Sequence, residues 1–169
     1  MVPMRGVVEG EVVKRTVSRQ DDRIPMPVLL VGSAGIFPLL FGLTLAALSP
    51  KAFGLPIVRI AIVYGAMILS FLGGMYWGIA TPQLTLDTGS PAPPRILGWS
   101  IVPSLVSLVV VYLPSPIASS VLAAAFVAVL RLDRACFRLG YVPRWWMLMR
   151  FWLTALVVPL LMALAVLDD

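Results

Sequence analysis

The chain has 169 residues, 60% apolar and 12% charged, about half the ~25% charged share of a soluble domain. A water-soluble fold of this size leaves too much surface exposed to hide that apolar content, so lipid is its natural solvent. The net charge of +5 is gathered in two basic blocks beside apolar runs, which fits a membrane surface and argues against nucleic acid, and the lack of histidine argues against haem, zinc or di-iron sites. No cofactor is expected to be bound by this chain alone. With Cys136 the single cysteine, there is also no disulfide within the chain.

Residues 1–27 read as a polar N-terminal tail with Arg5, Lys14, Arg15, Arg19 and Arg23 among four acids, a composition too acidic for a mitochondrial presequence. Residues 28–169 read as one all-α transmembrane domain. Val28–Leu48 and Ile60–Ala80 are each free of charge for 21 residues, a helix of roughly 31 Å that matches a hydrocarbon core. The first run is too long, and too far from the start, for a signal-peptide core. Ile96–Leu113 and Phe151–Leu167 give 18 and 17 residues. Between them, Ile117–Leu130 has only 14, short enough to be re-entrant or interfacial.

Charge decides that segment. If all five runs cross, the tail, the loop at 81–95 and the segment 131–150 share one side and hold eleven Lys and Arg, against Lys51 and Arg59 on the other. If 117–130 does not cross, the split is six to seven and the bias disappears. The positive-inside rule therefore favours spans at about 28–48, 60–80, 96–113, 115–130 and 151–167. It places the N-terminus in the cytoplasm and the C-terminus in the periplasm. In this arrangement Trp77, Trp99, Trp145, Trp146 and Trp152 all fall near the cytoplasmic interface, where an amphipathic ring bridges headgroup and acyl chain. The Leu113-Pro114-Ser115-Pro116 turn makes spans three and four antiparallel neighbours.

Within span two, Ala66, Ser70, Gly74 and Gly78 recur every four residues beside Gly73, a small-residue stripe that lets two helices approach closely. Packing within the chain is the favoured reading and contact with a partner subunit the other. Gly74→Leu is accordingly expected to destabilise the bundle or detach a partner. Pro38, Pro103 and Pro159 should kink their helices. Ser100, Ser104 and Ser107 share one face of span three, without a histidine or carboxylate to activate a hydroxyl. No ionisable residue stands deep in a span of this length, which argues against an ion pathway.

Segment 131–150 carries Arg131, Arg134, Arg138, Arg144 and Arg150 with Trp145 and Trp146, and should contact anionic lipid, a partner, or both. Its single acid, Asp133, is expected to pair with a nearby arginine, with Arg150 a candidate.

These residues resemble a family of small multi-span membrane proteins of bacteria and mitochondria that includes transmembrane protein 69. The resemblance covers about residues 24–158. It rests on Ile24-Pro25, Gly35-Ile36-Phe37-Pro38, Tyr64-Gly65, Leu69-Ser70-Phe71-Leu72-Gly73-Gly74, Trp77-Gly78 and Val102-Pro103-Ser104-Leu105. Further on it includes Leu132-Asp133-Arg134, Gly140, Pro143, Trp145, Arg150 and Leu153-Thr154. Members often carry histidine where this chain has Tyr76, so a histidine-dependent role does not carry over. The resemblance implies a multi-pass protein of the bacterial inner membrane and supplies no activity or substrate.

The inventory therefore points away from an enzyme and toward a non-catalytic accessory or assembly subunit of a larger inner-membrane complex. A respiratory or photosynthetic electron-transfer assembly is the expected setting, with membrane-protein subunits and anionic lipids as partners. The alternative is a small transporter or channel for a neutral or lipidic solute.

Overall fold

Seven α-helices make up five long apolar rods in the computed structural model, which describes residues 24–48, 56–85 and 92–167. The basic tail and Lys51 lie outside the described residues. In chain order the helices are α1 (Met26–Ala34), α2 (Phe37–Leu48), α3 (Ile57–Thr85), α4 (Ala92–Trp99), α5 (Ile101–Val110), α6 (Ser115–Arg138) and α7 (Arg144–Leu167). The rods are long and apolar enough to cross a membrane, over Met26–Leu48, Ile57–Leu84, Pro93–Val110, Ser115–Arg138 and Arg144–Leu167. The chain is a multi-pass membrane protein, and large apolar side chains such as Met67, Phe71, Leu108 and Val109 stand exposed on its outer faces.

Two rods are broken by proline. Pro38 has no N–H to offer the carbonyl of Ala34, and the helix is interrupted over Gly35–Ile36. The Tyr64 hydroxyl donates to the carbonyl of Gly35 (2.9 Å), supplying a partner at the break where lipid has none. Pro103 likewise leaves the carbonyl of Trp99 without its usual donor, and the third rod breaks at Ser100. Pro82 and Pro159, in contrast, sit inside continuous helices.

Helix α3 is the central rod, with Ile57, Ala61, Gly65, Leu69, Leu72, Tyr76 and Ala80 buried at close to the 3.6-residue helical period. Its neighbours pack around that stripe. At the N-terminal end of α3, Arg59 donates to the carbonyls of Val111 and Leu113 (2.6 Å to the latter), covering the C-terminal end of α5.

The fourth rod differs from expectation. It does not stop at Leu130 but runs for 24 residues to Arg138, and α7 resumes at Arg144. Most of segment 131–150 is therefore helix extending the two spans. Buried positions on α6 fall at Ser115, Ser119, Leu122, Phe126, Val129, Asp133 and Cys136, alternating four and three residues apart. On α7 they fall at Arg150, Thr154, Val157, Leu161 and Leu164 with the same spacing. This is the period of a coiled-coil seam, and the antiparallel α6–α7 pair is zipped along it. Eleven residues from the Asp133–Arg150 contact, Leu122 and Leu161 meet opposite Gly65 of α3.

The turn between them is a Schellman closure. Tyr141 N–H bonds Cys136 C=O and Gly140 N–H bonds Phe137 C=O, both at 3.0 Å, with Gly140 at φ 73°. That left-handed backbone is open to glycine at little cost, which accounts for Gly140 at this position.

Candidate functional site: a buried carboxylate between three helices

The seam carries the one acid among the described residues, and it is fully buried. Asp133 is 0% exposed and Arg150 4%: with α6 and α7 seen at full length, both side chains lie in the interior of the bundle toward the Gly140 turn, in helices that run past the charge-free segments. Charge-free run length ended both spans too early, while the four-three spacing passes straight through Asp133.

Three side chains donate to this carboxylate. Arg150 Nε binds Oδ2 at 2.9 Å, and the Tyr76 hydroxyl binds Oδ1 at 2.7 Å. Trp146 Nε1 reaches the same Oδ1 at 3.2 Å. The carbonyl of Val129 lies 3.3 Å from the Tyr76 oxygen. Tyr76 comes from α3, Asp133 from α6, and Trp146 and Arg150 from α7, so one carboxylate fastens three spans. An isolated charge in this setting would cost several kcal/mol, and the pairing with Arg150 and two neutral donors is what makes burial tolerable.

This geometry limits the chemistry. Both carboxylate oxygens are occupied by donors held on rigid helices, so Asp133 is not placed to abstract a substrate proton. No group of three metal-ligating side chains stands together among the described residues. Arg150 Nη2, Thr154 Oγ1 and Ser119 Oγ are buried without a hydrogen-bond partner among those residues. The pairing of Asp133 with Arg150 was expected from sequence. Participation of Tyr76 and Trp146 was not, and no short-range pattern links residue 76 to residue 133.

The basic segment is divided. Arg131, Arg134, Arg138 and Arg144 are exposed, and Trp145 is half-buried edge-on to Trp146 with ring centroids 6.0 Å apart. Arg150 is not on that surface, because its guanidinium is turned into the bundle onto Asp133.

The small-residue stripe is divided as well. A four-residue stride gains about 40° per step on an α-helix, so the stripe drifts around the rod. Ala66 is buried and Ser70 donates to Ser104 of α5 (3.0 Å), but Gly74 and Gly78 face outward. A Cβ at either would meet nothing within 4 Å. Close packing falls on Gly73 instead, where a Cβ would lie 2.5 Å from the carbonyl oxygen of Ser100. Span two and the broken span three touch there, backbone to backbone.

The model of the family described as "Protein of unknown function (DUF3429)" matches residues 24–166. Transmembrane protein 69 of Xenopus tropicalis is 38% identical over 86 residues, which cover 49% of this chain. The aligned part spans only 31% of that protein's own length. No solved structure matches the chain.

Proposed function

We propose that this chain, which belongs to the DUF3429 family, is a non-catalytic accessory or assembly subunit of a larger inner-membrane complex. The observation that carries the reading is the outward face of α3. Phe71, Gly74 and Gly78 lie along it at spacings of three and four, with the two glycines open and Phe71 71% exposed. In lipid, where apolar burial gives little drive, close backbone approach at small residues is a main means of helix association. A face with no packing duty among the described residues, yet bearing two glycines, suits a helix from another subunit. The Asp133 carboxylate supports the same reading, since donors on both of its oxygens tie three spans into one scaffold.

The orientation we propose, N-terminus in the cytoplasm and C-terminus in the periplasm, rests on the eleven-to-two distribution of Lys and Arg. A respiratory or photosynthetic electron-transfer assembly is the first complex to look for. Gentle detergent extraction followed by native electrophoresis tests the proposal. The chain should migrate with co-purifying subunits, well above its own 18.3 kDa. Migration only as the free chain overturns it.

A second reading, a small transporter or channel for a neutral or lipidic solute, is favoured by the breaks at Gly35–Ile36 and Ser100, because interrupted helices can line a path. Solute flux in liposomes holding the purified chain alone would select it.

A further inference from the structure

We infer that the groove between span three and span four is a site for one anionic phospholipid, its acyl chain lying between α4–α5 and α6 and its phosphate held by Arg95 and Arg131. The site stands independently of the subunit reading above.

The groove follows from the packing. Gly73 draws the broken span three onto α3, while the seam zips α6 onto α7. The two arms of the α5–α6 hairpin therefore lean apart. Alanines on α6 widen the gap, leaving a groove of about 580 Å³ between Trp99 and Val106 on one wall and Ala125 and Ala128 on the other, with Leu69 of α3 also lining it. Everything lining it is apolar except Arg95 and Arg131 and the indole N–H of Trp99.

Those two arginines line the same groove. From the tight turn at Leu113–Pro114, Arg95 is 18 residues back, across the break at Ser100, and Arg131 is 17 residues on. Both are exposed, and neither guanidinium has a hydrogen-bond or ion-pair partner among the described residues. From Arg95 to Val106 the groove runs roughly 16 Å, about half of a ~30 Å hydrocarbon core. Two cations at an interface above an apolar slot one leaflet deep are complementary to a phosphate joined to an acyl chain. Trp99, one turn below Arg95 and 63% exposed, is placed where the glycerol backbone would lie. An apolar partner helix would leave both guanidinium groups without a matching anion.

Native mass spectrometry of the full chain, extracted from an equal mixture of phosphatidylglycerol and phosphatidylcholine, tests the site. One phosphatidylglycerol per chain should be retained in preference to phosphatidylcholine. Arg95→Gln with Arg131→Gln should lower that retention about tenfold or more. Ala128→Phe, which fills the groove from its wall, should do the same, whereas Arg138→Gln, a cation outside the groove, should lower it far less. Equal retention of the two lipids, an unaffected double variant, or an equal loss with Arg138→Gln overturns the site. Capture of a protein instead of lipid by a photo-crosslinker at position 128 also overturns it. Should the double variant not fold, spin-labelled lipids on the unaltered chain still decide. Preferential immobilisation of phosphatidylglycerol that weakens with salt supports the site, and no preference overturns it.

Discussion

At the scale of single residues, the molecule turns on Asp133. Its carboxylate joins α3, α6 and α7 through Tyr76, Trp146 and Arg150, so each partner has a separate expected effect. Asp133→Asn leaves the buried Arg150 guanidinium without its counter-charge and should cost about 3 kcal/mol, read as a lowered melting temperature in detergent. Combining it with Arg150→Met, which removes the orphaned charge, should recover part of that loss. Failure to recover any of it would show that the pair is not coupled. Tyr76→Phe removes one hydrogen bond to a charged acceptor and should cost about 1.5 kcal/mol in the same melt. The acid and arginine were legible in sequence as a pair. Their burial was not, because hydropathy averages over a helix face and cannot report that one charged residue points inward.

At the scale of elements, four spans could be read directly from charge-free run length, and the fifth from the charge balance it creates. The ends of α6 and α7 could not, because run length stops at the first arginine whichever way that side chain points. The seam through Ser119, Leu122, Phe126, Val129, Asp133 and Cys136 was present in the sequence and continues past Leu130. Spacing, and not hydropathy, was the signal for the true length of this helix. The small-residue stripe shows the opposite error, since a fixed stride of four treats Gly74 as the packed residue when the helical period brings Gly73 inward. Gly73→Ala should therefore destabilise the isolated chain by about 1–3 kcal/mol, because α3 and the Ser100 backbone must separate. Gly74→Leu should leave that melt unchanged. Gly140→Ala places a Cβ on a left-handed residue and should cost about 1 kcal/mol, slackening the α6–α7 turn.

At the scale of the whole molecule, a locked scaffold presents two unlike surfaces to the membrane. One is the groove with Arg95 and Arg131 at its mouth, and the other is the open glycine face of α3. Neither could be read from sequence, because a groove and a free face are defined by what fails to pack against them. The proposed orientation is checked with a membrane-impermeant maleimide: a cysteine replacing Asp169 should label in intact cells and one replacing Arg5 only after lysis. A partner subunit seated on the α3 face would be captured by a photo-crosslinking residue at Phe71 in living cells, with Val109 as the control. A discrete protein adduct is expected from position 71, none from position 109, and loss of the adduct in Gly74→Leu. Adducts to lipid alone at position 71, or an equal protein adduct at both positions, would contradict a partner seated there.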